Sequence, residues 1–242
     1  MNTEEYERMY RLEDSYWWFV GRHNLILSYL RPLYRARTDL RVLDIGCGTG
    51  AMSRKLGEFG QVVSADFSPH ALEFSRRRGL QHLCAADAMR LPFRDGSFDA
   101  VIALDLLEHL CDDGKALREF RRVLKPGGRL VASVPAYQAL WSSHDVALMH
   151  HRRYVARELG DRCSAAGFAV ERLTYVMTLL FPLMWLARRA CAFHGSSPKA
   201  GLPPVPGLVN RALIGMLSIE NGVVRRVRLP FGGTVFCAAR RP

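Results

Sequence analysis

The residue pattern between positions 41 and 135 predicts a doubly wound α/β sheet. Short apolar runs at 41–46, 61–66, 81–87, 98–104 and 129–135 alternate with stretches of helical periodicity. Strands separated by helices pair in parallel and are covered on both faces. A glycine turn, Gly46-Cys47-Gly48-Thr49-Gly50, sits directly between the first apolar run and the first helix. An acid, Asp44, Asp66 or Asp87, accompanies each of the first three runs. Sheets of this kind bind ligands outside the carboxyl ends of their strands, so these residues are the ones to examine.

Taken in order, residues 1–38 are aromatic and charged and read as an N-terminal helical cap. The first strand leads through the glycine turn to a helix at 51–59, the second to a helix at 69–78. The stretch 112–124 is a helix with an acidic first turn, as the helix dipole favours, and Lys125-Pro-Gly-Gly stops it. A helical stretch follows Tyr154, then a sixth strand at 167–175 and a last one at 233–241. The region between these two strands carries Pro198, Pro203, Pro204 and Pro206 and reads as an inserted helical cap. The expected organisation is one domain over 1–242: cap 1–38, core 39–175, inserted cap 176–231 and last strand 232–242.

At 49% apolar and 24% charged residues the composition is that of a globular protein, which excludes disorder and collagen. The six cysteines are scattered without zinc or redox spacing and read as free thiols in a reducing compartment. No leader is read in the acidic start, and a cytoplasmic location is expected. The uncharged run 173–187 contains Pro182 and, at 15 residues, falls short of the roughly 20 that span a bilayer. It reads as a core or lid segment, or as a helix lying in a membrane interface beside Arg188 and Arg189.

Glycines let the chain turn tightly and approach a ligand closely. Asp66 ends the second strand 22 residues after Asp44, where a carboxylate suits two ribose hydroxyls. Asp87 can accept from the exocyclic amine of an adenine. Together they predict a nucleoside site. A dinucleotide turn has the spacing Gly-x-Gly-x-x-Gly, whereas position 51 here is Ala, which disfavours a nicotinamide cofactor.

At this point the chain resembles the class I S-adenosylmethionine-dependent methyltransferases. Val-Leu-Asp-Ile-Gly-Cys-Gly-Thr-Gly at 42–50 looks like their first motif, and Ala-Asp-Phe-Ser-Pro at 65–69 like the ribose motif. Ala-Asp-Ala-Met-Arg-Leu-Pro-Phe at 86–93 looks like the adenine motif. Phe98-Asp99 through Leu-Leu-Glu-His-Leu and Arg122-Val-Leu-Lys-Pro-Gly-Gly complete the series. The resemblance implies a Rossmann-like sheet of seven strands with the last antiparallel, and S-adenosylmethionine as cofactor with S-adenosylhomocysteine as product. It implies Gly46, Cys47 and Gly48 against the methionine part, Asp44 beneath it, and Asp66 on the ribose. Phe67 would pack on adenine, Asp87 and the Ala88 amide would read its edge, and the Leu104 carbonyl would take the amino group. The opening Tyr6-x-x-Met9 through Trp17-Trp18-Phe19-x-Gly-Arg22 is similar to bacterial methyltransferases of glycan or lipid-linked pathways; Arg22 is expected on the cofactor carboxylate.

Methyl transfer from a sulfonium is an in-line displacement in which alignment does most of the work and a base helps an oxygen acceptor. The candidate bases are His109, after the fourth strand, and His144, after the fifth. Tyr137, His151, Arg153 and Tyr154 are expected to face the acceptor, Arg153 and the histidines suiting an anion. No metal site is expected, because no carboxylate or cysteine set is seen to complete the histidine cluster. The absence of Asn/Asp-Pro-Pro-Tyr after the fourth strand argues against a base-amine methylase.

Residues 150–242 hold 14 basic and 4 acidic side chains, while 1–149 hold 20 and 19, so nearly all of the net +11 lies in the second part. The expected acceptor is therefore a small-molecule, glycan or lipid-linked compound, anionic in character, with an anionic membrane as a candidate contact. The competing readings are an RNA methyltransferase, for which no RNA-binding module is visible, and a non-catalytic S-adenosylmethionine-binding partner protein.

Overall fold

A computed structural model describes residues 3–186 and 204–242. Its centre is one seven-stranded sheet in the order β3-β2-β1-β4-β5-β7-β6. The strands are β1 (Leu40–Ile45), β2 (Gly60–Asp66), β3 (Leu83–Ala85), β4 (Phe98–Leu104), β5 (Leu124–Pro135), β6 (Ala169–Val176) and β7 (Thr234–Arg240). β1 to β5 pair in parallel. β7 runs antiparallel to both β5 and β6 and lies between them. All seven expected strands are present, the third trimmed to Leu83–Ala85.

Alternation along each strand sorts its side chains onto two faces. On β1 and β4, Leu43, Ile45, Val101 and Ala103 join one core with Leu117 and Phe120 of α5 (Asp113–Val123) and Leu159 and Cys163 of α7 (Ala156–Ala165). Val42, Ala100 and Ile102 face the other core, with Leu25, Ile26 and Leu30 of α2 (Trp17–Leu33). Apart from Arg41, Asp44 and Asp99, both strands are therefore apolar on both faces, as a sheet covered on both faces requires. Helix starts follow local chemistry: Asp112 accepts from the Lys115 amide at 2.8 Å to cap α5. Ser68 caps α4 (Pro69–Arg77), where Pro69 opens the first turn.

The described part of the inserted segment packs on the N-terminal one. α9 (Gly207–Val224) follows a helical stretch α8 at 181–186 and lies against α2. The close approach passes over Gly21, where a Cβ would stand 2.3 Å from Leu217 Cδ1. Asn210 accepts from the Trp17 amide at 2.8 Å and donates to Ser15 O at 2.9 Å, tying the start of α9 to the start of α2. Asn221 donates to Gly21 O at 3.0 Å.

The uncharged run is divided: its first four residues finish β6, and the next form a turn and α8. Among the described residues, no helix is long and apolar enough to cross a membrane. Ala187, Arg188, Arg189, Cys191, Pro198 and Pro203 lie outside the described residues.

Candidate cofactor and acceptor site

The parallel order reverses between β1 and β4, and the glycine turn opens at that crevice. Gly46, Gly48 and Gly50 have φ of +72°, +55° and +85°, values that favour glycine. The turn is fixed by Gly46 and Cys47 amides donating to Ala65 O at 2.8 and 3.1 Å. It leads into α3 (Ala51–Leu56). Asp44 is buried beneath it and accepts from Ser53 Oγ at 2.5 Å. Burial pushes the Asp44 carboxyl up to about 7.

Asp66 ends β2 against the same turn. Its carboxylate accepts from the Gly48 amide at 3.0 Å and the Ser68 amide at 2.9 Å. Phe67 beside it is 80% exposed, so its ring serves no core. Asp87 follows β3 and accepts from the Met89 amide at 2.8 Å, holding a tight turn over the buried Ala88. Asp44, Asp66 and Asp87 thus stand at the carboxyl ends of three neighbouring strands, and Leu104 ends the fourth.

The N-terminal helices close this edge. On α1 (Thr3–Leu12), Met9 Cε lies where a Cβ on Gly48 would be, 2.6 Å away, and Tyr6 stacks on Phe74 of α4. Arg78 anchors this cover by donating to Thr49 O at 2.6 Å, Tyr10 O at 2.8 Å, Asp14 at 2.5 Å and Glu13 at 3.2 Å. Glu13 is buried and also accepts from Thr49 Oγ1. Arg22 on α2 lies over the Trp18 ring at 4.3 Å and pairs with Asp105, which Ser133 Oγ also reaches at 3.1 Å. Asp105, Glu13 and Arg78 are missed by the sequence reading; only Asp105, directly after a strand end, carried a positional signal. Arg22 Nε is buried without a partner among the described residues.

On the acceptor side the structure redistributes the expected residues. His109 and His150 meet edge to face with centroids 4.6 Å apart. Burial and the neighbouring His150 pull the His109 imidazole down to about 4. His150 Nδ1 lies 3.0 Å from Asp145 Oδ1, which Arg153 Nε reaches at 2.7 Å. Arg153 is buried and spends its remaining reach on Ala136 O at 3.0 Å, so its charge is committed within the fold. Tyr154 stands in the core, fully buried, its hydroxyl donating to Asp113 at 2.7 Å; the ring is a packing element at that position. His151 is exposed, and its amide donates to Glu108 O at 2.7 Å. Tyr137, at φ +56°, stacks on Tyr175 with centroids 5.1 Å apart. His144 lies in the short helix α6 (Ser143–Ala147); its side chain lies outside what the structure describes.

One contact overturns an expectation. A carboxylate does join the histidines: donor atoms of Glu108, His109 and His150 all lie within 4.8 Å of one another.

Comparison with known proteins agrees with this geometry. Residues 43–132 match the family described as Methyltransferase domain. The ubiquinone/menaquinone biosynthesis C-methyltransferase of Vibrio vulnificus is 37% identical over 144 residues, 54% of this chain and 55% of that protein. The ubiquinone biosynthesis O-methyltransferase of Xanthomonas oryzae pv. oryzae is 36% identical over 131 residues, 48% of this chain and 55% of that protein. The chain thus spans about half the length of these curated relatives. Phosphoethanolamine N-methyltransferase 2 of Haemonchus contortus, solved in complex with S-adenosyl-L-methionine, shares the fold with a TM-score of 0.58 at 21% identity, over 91% of this chain and 52% of that one. Motif order, sheet topology and the matched span agree over residues 43–132, which are similar to a methyltransferase domain.

Proposed function

We propose that the chain transfers a methyl group from S-adenosylmethionine to an oxygen of a small-molecule, glycan or lipid-linked acceptor. The observation that carries this is the glycine turn with three acids at the ends of adjacent strands around one crevice. The residues fit the cofactor. Gly46 and Gly48 hold positive φ in a tight turn on which Leu106 and Met9 close, with no room for a Cβ, and Phe67 offers an exposed ring beside Asp66. Arg22 supplies a buried donor, Nε, that no group among the described residues uses. Gly46, Cys47 and Gly48 would hold the methionine part over Asp44. Arg22 would hold the carboxylate and the Leu104 carbonyl the amino group. Asp66 would hold the ribose, with Phe67, Asp87 and Ala88 at the adenine. When bound, the cofactor supplies a sulfonium methyl open to in-line displacement.

The chain's own contribution is alignment and a dry, polar acceptor end. His109 is neutral at physiological pH but a weak base at its lowered value, so the acceptor's proton is better served by the whole Glu108–His109–His150 group than by His109 alone. The relatives act at carbon and at oxygen by name, and the imidazole-lined end supports oxygen. An anionic or lipid-linked acceptor is supported by the +10 carried by residues 150–242. Peripheral contact with an anionic membrane is supported by the exposed apolar side chains of α8 and α9.

Isothermal titration with S-adenosylmethionine, S-adenosylhomocysteine and NAD tests the cofactor assignment. The first two should bind and NAD should not. Asp66→Ala should weaken S-adenosylhomocysteine by about 100-fold, the worth of two charge-assisted hydrogen bonds. Wild-type affinity in that variant removes the ribose assignment. A screen of lipid extract and polar metabolites with methyl-labelled cofactor then identifies the acceptor; label entering RNA alone would favour the competing RNA reading.

A further inference from the structure

Glu108 is the one fully buried carboxylate whose two oxygens both lack a protein hydrogen-bond donor among the described residues. A carboxylate in that state is costly. Arg22 and Arg153 lie near enough to act on Glu108 through space but donate to Asp105 and Asp145.

The two imidazoles beside it are prepared in the way metal ligands are prepared. His150 Nδ1 faces the Asp145 carboxylate at 3.0 Å, which places its proton there and leaves the Nε2 lone pair free. Asp145 is in turn fixed by Arg153 at 2.7 Å and by the Ser142 amide at 2.8 Å. His109 meets His150 edge to face with ring centroids 4.6 Å apart, which brings a second imidazole to the same point. A carboxylate, an imidazole and a second imidazole held by a carboxylate form a two-histidine, one-acid donor set.

We infer that Glu108, His109 and His150 bind a divalent transition-metal ion at the acceptor end of the site. The donors lie within 4.8 Å of one another, and small side-chain rotations bring them to the separation of about 3.4 Å that bonds of 2.0–2.1 Å require. Nitrogen donors select zinc, manganese, cobalt or iron over magnesium. Three protein ligands leave coordination positions open for an oxygen donor. This deepens the proposed methyl transfer, on which its role rests: a Lewis acid at that point would orient an acceptor hydroxyl and lower its pKa.

The test is calorimetric and spectroscopic and needs no acceptor. The full chain, stripped with chelator, is titrated with zinc, manganese, cobalt and magnesium chlorides. One equivalent of zinc or cobalt should bind, with magnesium at least tenfold weaker. The cobalt complex should show visible ligand-field bands of nitrogen and oxygen coordination. Glu108→Gln and His150→Ala should each lose the bands, and Asp145→Asn should weaken binding by about 10–100-fold, as loss of an orienting partner does. The proposal is overturned if the folded wild-type chain saturates with none of these ions, or if its cobalt bands persist in a folded His150→Ala variant. S-adenosylhomocysteine binding is measured on the same samples. Nucleoside binding without metal binding removes only the metal; metal binding without nucleoside binding supports the metal site and removes the cofactor assignment.

Discussion

Asp44 is a carboxylic acid in surroundings that oppose a carboxylate. Among the described residues its side-chain donor is Ser53, and Glu13 and Asp66 add negative charge nearby. The folded protein therefore holds its proton up to about pH 7, while the unfolded chain releases it near the ordinary 3.8. Between those values the native state binds more protons than the unfolded state, so stability falls as pH rises. In urea titrations at pH 5 and pH 8, Asp44→Asn should flatten this fall by about 1–4 kcal/mol. An unchanged pH slope would show that Asp44 is ionised in the fold. Phe67 offers the reverse separation of roles. An exposed ring contributes little to folding, so Phe67→Ala should leave stability within about 0.5 kcal/mol. A ring stacked on adenine is worth about 1–3 kcal/mol, so the same variant should weaken S-adenosylhomocysteine about tenfold or more in calorimetry. The placement of the acids and Phe67 at strand ends was legible in the sequence because each stands at a fixed offset from an apolar run. Tyr154 and Arg153 were misplaced because adjacency was read as a shared face. In the fold Tyr154 turns into the core and Arg153 turns to Asp145. Glu108 and His150 were not paired in advance because 42 positions separate them and only β5 brings their loops together.

The strands and the helices between them follow from apolar runs and stop signals; six strands sit within two residues of their expected bounds, and β5 begins five residues early, at Leu124, taking in the Lys125-Pro-Gly-Gly stretch. The covers were harder to read. Residues 1–38 looked helical from aromatic and charged spacing, yet nothing local told that α1 would lie on α4 with Met9 over Gly48. That docking depends on Arg78, whose guanidinium is almost entirely buried and reaches α1, Glu13, Asp14 and the glycine turn together. Arg78→Ala leaves the buried Glu13 without its cation. The expected loss is about 3–5 kcal/mol, the usual result of removing one partner of a buried pair. In a chain of this size that corresponds to a fall in Tm on the order of 10 °C. Limited proteolysis should then cut within α1 before it cuts the core; an unchanged cleavage pattern would show that α1 is held by its apolar contacts alone. The α2–α9 contact makes a second case. Gly21 permits an approach that any side chain blocks, and Gly21→Val should cost about 1–3 kcal/mol by forcing Leu217 and α9 outward. A neutral result in thermal unfolding would mean that α9 re-seats freely.

Charge and apolar exposure fall in the same part of the chain. Of fifteen exposed large apolar side chains among the described residues, ten lie between 179 and 231. On α9 the buried side carries Leu217 and Val224, but Leu208, Ile219 and Val223 lie on the outward side with Ala212 and Gly215, at spacings of three and four. A helix at a water interface is usually polar on its outer face. This one presents an apolar stripe to the outside, and Leu208 and Ile219 are 75% and 71% exposed. Beyond its end, Arg225, Arg226 and Arg228 are all exposed. Apolar side chains that enter the acyl boundary beside cations that meet lipid phosphates are what an interfacial surface needs. Each arginine near an anionic membrane is worth about 1 kcal/mol, so three should raise partitioning onto anionic vesicles about 100-fold over neutral ones. The attraction should fade as salt shortens the screening length. Sedimentation with phosphatidylserine-containing and pure phosphatidylcholine vesicles measures it. Changing the three arginines to Gln should remove the preference for anionic lipid while leaving S-adenosylhomocysteine affinity unchanged, since none of them borders the glycine turn. Ile219→Asp should lower recovery on both vesicle types, because it removes the apolar part of the contact. Equal recovery of the wild-type chain on anionic and neutral vesicles would separate the basic surface from any membrane, and would leave the charge to act on a soluble anionic acceptor instead.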